Sequence, residues 1–339
     1  MNKIETKHRR TVLLMGIALI ACMLGSFTLG RYPVSLSELL GVLGYKLGLP
    51  IEPFWTGSVE AAVWNIRLPR VILSVLVGAC LAAAGGAYQG VFQNPMASPD
   101  ILGASAGAGF GAALAILLGA SSMGITIGAF AASLLTVALV FTVSRHAKGD
   151  RVLGLVLAGI MISSLFQSGT SFLKLVADPS NQLPQITYWL MGSLSGAKWS
   201  DIGFVLIPML CGLVPLYLLR WRLNVITMGD DEARAMGVDP RKIRFWIAVA
   251  STLVTASAVS VSGMIGWGGL VIPHMMRRLV GSDYRFLMPG SMLGGGIFLL
   301  IVDNVSRNAA GIPIGILTAF IGAPFFLWLI TGKGDHYAH

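Results

Sequence analysis

Few residues in this chain could do chemistry, and the densest group lies in ten consecutive positions, Gly229-Asp230-Asp231-Glu232-Ala233-Arg234-Ala235-Met236-Gly237-Val238. Three carboxylates and a guanidinium sit there between two long uncharged stretches. Elsewhere there is no Walker phosphate loop, no His or Cys pair at ligand spacing, and no Ser/His/Asp set that one topology would bring together. No catalytic residue and no metal site are therefore expected. Gly107-Ala108-Gly109-Phe110-Gly111 lacks the βαβ surroundings of a nucleotide fingerprint. His274 reads as a polar contact at a helix end rather than a ligand.

What the cassette can do is mechanical. Gly229-Asp230 can start a short helix, Glu232 suits its positive N-terminal end, and Gly237 can stop it. Asp239-Pro240 can then start another, with proline at the first position. Two short helices joined at Gly237 and tied to two spans would form a lever that turns a push from a soluble partner into span movement. The alternative is a solvated loop whose charge only sets orientation.

The elements holding the cassette follow from charge-free runs. Thr11–Gly30, Val71–Pro99, Ile101–Ser144, Val152–Leu173, Ile202–Leu219, Phe245–Pro273, Phe286–Val302 and Asn308–Gly332 contain no Asp, Glu, Lys or Arg. A spanning helix needs about 20 apolar residues, so Ile101–Ser144 holds two. With 55% hydrophobic and 12% charged residues and a mean hydropathy of +0.76, the chain reads as all-α and polytopic, with nine to ten spans. The expectation is a single transmembrane domain, 1–339, with a loop at 222–243 on one side and connections at 31–66 and 176–198 on the other.

A net charge of +9 raises the question of nucleic acid, and the placement of the 24 basic residues answers it. In a ten-span arrangement with both ends inside, only Arg31, Lys46, Arg67, Arg70, Lys174, Lys198 and Arg307 fall outside. The rest, from Lys3 through Lys148 to Lys333, fall inside, as the positive-inside rule requires. Both termini and the cassette are thus expected in the cytoplasm, with no nucleic-acid partner. The N-terminal Lys-His-Arg-Arg and Leu19-Ile20-Ala21-Cys22 mimic a lipoprotein signal, but Met23–Leu29 continue the apolar run, which favours a first span. Cys22, Cys80 and Cys211 are scattered and suggest no disulfide framework.

Ser35-Leu36-Ser37-Glu38 is a capping-box pattern, and Leu36, Leu39, Leu40, Leu43 and Leu47 recur at helical spacing, which predicts an amphipathic helix on the outer face. Most glycines read as close helix contacts. Gly103, Gly107 and Gly109 recur as Gly290, Gly294 and Gly296 at a constant offset, which repetition or chance explains equally. Asp303 is the acid close to a span and is expected to pair with Arg307 one turn on. A chain with so few intramembrane ionisable groups has little internal means of coupling to an ion gradient. It reads as a channel, a scaffold or a pore driven by a partner, and the cassette favours the partner.

Six segments in order resemble the permease subunits of FecCD-type ABC importers, the type II importers for iron-siderophores, haem and cobalamin. They are Arg67-Leu68-Pro69-Arg70, Gln93 to Gly103 with Asn94-Pro95-Met96, Tyr188 to Leu194, the cassette, Gly269 to His274 with Arg277, and Pro313-Ile314-Gly315 with Gly322-Ala323-Pro324. The resemblance implies a type II permease fold of about ten helices, paired with a second copy or a paralogous permease around a shared axis. It also implies two ATPase subunits below, which bind ATP and Mg, and an extracytoplasmic binding protein above, all in a bacterial or archaeal cytoplasmic membrane. No cofactor would be bound by this chain. The cassette becomes the coupling element, with Met236 where relatives often have Leu. Asn94, Pro95 and Met96 fall at a cytoplasmic constriction, and Asn-Pro could equally be a helix-stopping turn. Arg67, Arg70 and Arg307 match docking arginines for the binding protein, with helix anchoring as the alternative. Ala177 to Pro184 looks most like the ferric-siderophore branch. Haem or cobalamin import, an ATP-independent carrier of chelates and a scaffold without transport are the competing readings.

Overall fold

Apolar helices in the computed structural model follow the charge-free runs, over the described residues 3–30, 32–146, 151–309 and 311–331. Arg31, Lys148, Lys333 and the C-terminal end lie outside the described residues. In chain order the helices are α1 (Lys3–Thr28), α2 (Leu36–Lys46), α3 (Gly57–Ala61), which runs through a wide turn at Ala62–Arg67 into α4 (Leu68–Val91), then α5 (Ala104–Leu117), α6 (Ser122–Ser144) and α7 (Arg151–Val176). They continue with α8 (Gln182–Leu190), α9 (Trp199–Leu218), α10 (Arg220–Ile226), α11 (Asp230–Ala235), α12 (Pro240–Ser262), α13 (Gly268–Val280), α14 (Tyr284–Asn308) and α15 (Ile314–Thr331). The described residues contain no strand.

Seven helices are long and apolar enough to cross a membrane: α1, α3 with α4, α6, α7, α9, α12 and α14. α5 and Ile314–Phe325 of α15 are shorter apolar helices, and α13 adds a tenth element of 13 residues. The expected count of about ten is met, although three members fall short of a full span. For two of them irregular chain precedes the helix: Gln93–Gly103, which holds one short 3-10 turn at Pro99–Leu102, leads into α5, and non-helical Gly263–Trp267 leads into α13. Irregular backbone at membrane depth is tolerated where protein buries it. Here Ser193 N–H donates to Ser262 O, Ile314 N–H to Gly192 O and Gly315 N–H to Met191 O, so the end of α12 is tied to the segment after α8, and that segment to the start of α15.

α4 is the central post, packed by α9, α12, α13 and α14. Lipid tails offer no hydrophobic drive between helices, so close backbone approach has to supply the packing. A Cβ on Gly85 would overlap the Gly269 carbonyl of α13, and one on Gly78 would overlap the Gly295 carbonyl of α14. The repeated glycine offset resolves into separate contacts, with Gly107 against α6 and Gly294 against α13.

α2 carries the expected capping box: Glu38 N–H donates to Ser35 Oγ and Ser35 N–H to Glu38 Oε2. It buries Leu39 and Val42 in a cluster with Phe27, Trp55, Val63 and Leu300. Leu36, Leu40 and Leu47 are exposed, so the leucine stripe divides between bundle and surroundings. His274 differs from expectation. It is buried in the middle of α13, its ring edge-on to Phe325 with centroids 6.2 Å apart.

Candidate functional site

The cassette is a six-residue helix, α11, between α10 and the first residue of a span. Gly229 has φ 130°, a conformation that favours glycine, and a side chain there would strike the Glu232 carboxylate. Asp230, Asp231 and Glu232 fill the first turn, where the helix end is positive. Gly237 (φ 76°) closes it, with Gly237 N–H donating to Arg234 O and Val238 N–H to Ala233 O. Asp239 Oδ1 then caps the next helix by accepting from Arg241 N–H and Lys242 N–H, with Pro240 at the first position. That next helix corrects the two-short-helix expectation. It is the 23-residue α12 itself, so the cassette joins a span without an intervening segment. Proline starts helices of any length, and local signals cannot tell a short one from a span.

Two kinds of contact make the cassette rigid. Ala233 and Val238 are buried, and Arg244 on α12 clamps Asp230 with Nη2 to Oδ1 at 2.6 Å and Nη1 to Oδ2 at 3.0 Å. The Arg244 hydrogen bonds hold the Asp230 carboxyl below the usual carboxylate range. Asp231, Glu232, Arg234, Ala235, Met236 and Gly237 are exposed. A cavity of about 390 Å³ beside them is lined by Trp221, Arg222, Met236, Lys242 and Trp246 among others.

The sequence reading missed the root of this element. α10 is bound to the bundle by Gln93 Nε2 donating to Ile226 O at 3.1 Å, and by Asn224, which donates from Nδ2 to Asp283 Oδ1 and accepts at Oδ1 from Tyr284 N–H. Displacement of the cassette would therefore be felt at the ends of α4 and α14. A lone Asn two residues after Arg222 gives no sequence signal of this.

Asn94, Pro95 and Met96 lie just beyond α4, at the cassette end of the bundle. Gln93 has a positive φ of 48°, Asn94 Oδ1 accepts from Met96 N–H at 2.8 Å, and all three residues of the motif are exposed. Within one chain the motif is an Asx-type turn whose side chains face out of the subunit. A third surface to note is α7, where Ser164, Gln167, Ser168 and Ser171 are exposed midway along a span.

At the opposite end, Arg67, Arg70 and Arg307 are brought together, but as internal ties. Arg67 is buried and donates to the carbonyls of Phe27 and Tyr32. Arg70 grips fully buried Asp303 with Nε at 2.9 and 3.0 Å from its two oxygens and Nη2 at 2.8 Å. Arg307 approaches Asp303 only to 3.6 Å and instead donates to Ser26 and Asn304. The main partner of Asp303 is thus Arg70, 233 positions away, and not Arg307 as the spacing suggested. Together the three guanidiniums tie the ends of α1, α4 and α14 to one another.

This architecture matches known transport proteins. The sequence profile described as the FecCD transport family covers residues 17–332. The molybdate import system permease protein MolB of Haemophilus influenzae is 38% identical over 93% of this chain and 94% of its own length. The hemin transport system permease protein HmuU of Yersinia pestis is 40% identical over 85% of this chain and 90% of its own. A metal-chelate type ABC transporter solved in an inward-facing conformation superposes with a TM-score of 0.83 at 35% identity, covering 95% of this chain and 99% of that one. A ten-element helical bundle with a charged helix fused to a span and glycine-packed central helices is accordingly a multi-span ABC importer permease, and this chain belongs to the FecCD transport family.

Proposed function

We propose that this chain is the permease subunit of an ATP-driven importer for a bulky metal chelate, with ferric siderophore as the favoured cargo. Two copies, or this chain and a paralogous permease, enclose the pathway. Two ATPase subunits carry ATP and Mg and press on α11, and an extracytoplasmic binding protein delivers cargo at the end bearing Arg67, Arg70 and Arg307. Both termini and the cassette then face the cytoplasm. The observation that carries this reading is the construction of the cassette: an exposed tip of Glu232, Arg234, Ala235, Met236 and Gly237 on a base fixed by buried Ala233 and Val238 and the Asp230–Arg244 clamp, continuous with α12. Force on such a tip moves a span instead of bending a loop. The exposed polar residues of α7 support a protein or aqueous neighbour on that face, since lipid gives a glutamine side chain no hydrogen-bond partner. Asn94 and Met96 would stand at the cytoplasmic constriction once the second copy is in place. Haem is the second reading, because a hemin permease is 40% identical.

The test is Glu232→Lys combined with Arg234→Glu, which reverses two exposed charges, removes the Arg234 pairs with Asp231 and Asp230, and leaves the two Asp230–Arg244 hydrogen bonds in place. Uptake should fall, with the ATPase either lost on purification or hydrolysing without transport. Unchanged uptake would overturn the lever.

A further inference from the structure

A second basic site lies beside the cassette, and nothing in the coupling role requires it. A cavity of about 310 Å³ opens between the end of α4, the end of α6, the start of α7 and the start of α12. Its lining joins three guanidiniums, Arg145, Arg241 and Arg244, to three phenyl rings, Phe92, Phe141 and Phe245. α6 ends at Ser144, α7 starts at Arg151 and α12 starts at Pro240, so the cavity sits where these spans leave the hydrocarbon.

Its charge is unbalanced. Among the described residues Arg145 and Arg241 make no ion pair, and Arg244 meets Asp230 alone. Arg244 Nε is buried without a hydrogen bond among the described residues, a donor that is costly to leave unmet. Three basic groups around one acid call for an anion. The phenyl lining calls for that anion to carry an apolar body. Exposed Val143, Leu153 and Val249 flank the cavity on the same three helices, so an acyl chain leaving it would run onto apolar surface. Basic pockets between spans at the membrane boundary are recognition sites for anionic headgroups.

We propose that this cavity binds an anionic phospholipid, with its phosphate between Arg145, Arg241 and Arg244 and the glycerol and upper acyl chains on Phe92, Phe141 and Phe245. Arg244 is shared with Asp230, so an occupied site braces the base of α11. The lipid is then a structural partner of the coupling helix.

The test is a native mass spectrometry titration of the full-length chain in detergent with palmitoyl-oleoyl phosphatidylglycerol, against phosphatidylcholine with the same chains. The variant is Arg145→Gln with Arg241→Gln, which leaves the Asp230–Arg244 clamp intact. The control is Arg9→Gln with Arg10→Gln, which removes two arginines from the same end of the bundle. Phosphatidylglycerol should bind the wild type and the control alike, bind the variant about 30-fold more weakly at roughly fivefold per arginine lost, and exceed phosphatidylcholine throughout. Equal binding by variant and wild type, or equal loss in the control, overturns the site. Displacement of phosphatidylglycerol by millimolar inorganic phosphate would make it an anion site and overturn the lipid assignment. Photoreactive phosphatidylglycerol on the unaltered chain should label residues 141–146, 152–155 and 241–248, and labelling confined to other segments would also refute it.

Discussion

Replacing Arg70 by alanine separates an anchoring role at this rim from a docking role. Asp303 has no exposed side-chain surface, and its three short contacts all come from Arg70. Removing that guanidinium leaves a carboxylate in a low-dielectric interior, where loss of one partner of a buried pair costs about 3–5 kcal/mol. Arg307 Nε, at 3.6 Å and itself buried without a hydrogen bond among the described residues, can close in and recover part of this. The expected loss is therefore near the lower figure, about 3 kcal/mol. Unfolding of the purified chain by sodium dodecyl sulfate measures it, and a cycle with Asp303→Asn isolates the pair, with a coupling of about 2 kcal/mol or more expected. A loss below about 1 kcal/mol, together with slowed docking of the binding protein at low salt, would show that Arg70 acts as an exposed steering charge and that the anchoring account is wrong.

Other outcomes follow from the same geometry. Gly85→Ala forces a methyl group into the Gly269 carbonyl and should destabilise α4 against α13 by about 1–3 kcal/mol in the same assay, while Gly16→Ala, with nothing within 4 Å, should be neutral; equal effects would refute the packing argument. Asp230 titrates below its ordinary 3.8 when folded, so the clamp's contribution is fully present above that value and is lost as pH falls through the lower folded value. Carboxylate carbon NMR should show Arg244→Gln moving Asp230 back up, and no movement would deny the clamp. In a chain lacking Cys22, Cys80 and Cys211, cysteine at Asn94 or Met96 should crosslink between two copies in a nucleotide-dependent way; crosslinks only from other faces would remove both residues from the constriction.

Local signals were legible in the sequence and long-range ones were not. Ser35 with Glu38, Gly229, Gly237 and Asp239-Pro240 marked helix starts and stops because caps are satisfied within four residues, and each marks an end in the structure. Charge-free runs marked the spans because lipid forbids unpaired charge. α13 was harder: its 13 residues carry Arg277 and Arg278 in the last turn, and the chain leading into it, Gly263–Trp267, is non-helical with positive φ at both ends. Asp303 was paired with Arg307 because i,i+4 spacing is visible in a sequence, whereas Arg70 lies 233 positions away. The same limit hid the cavity, whose arginines come from the ends of α6 and α12.

Transport by the assembled importer tests the central claim most directly. Proteoliposomes would carry this chain with its co-purified ATPase, with the binding protein outside and ferric siderophore, haem, cobalamin and molybdate offered in turn. Accumulation of one cargo should require ATP on the cassette side, persist when an uncoupler dissipates ion gradients, and vanish with Glu232→Lys and Arg234→Glu. Accumulation by the chain alone, without ATP and abolished by the uncoupler, would contradict the account and mark the protein as a gradient-driven carrier.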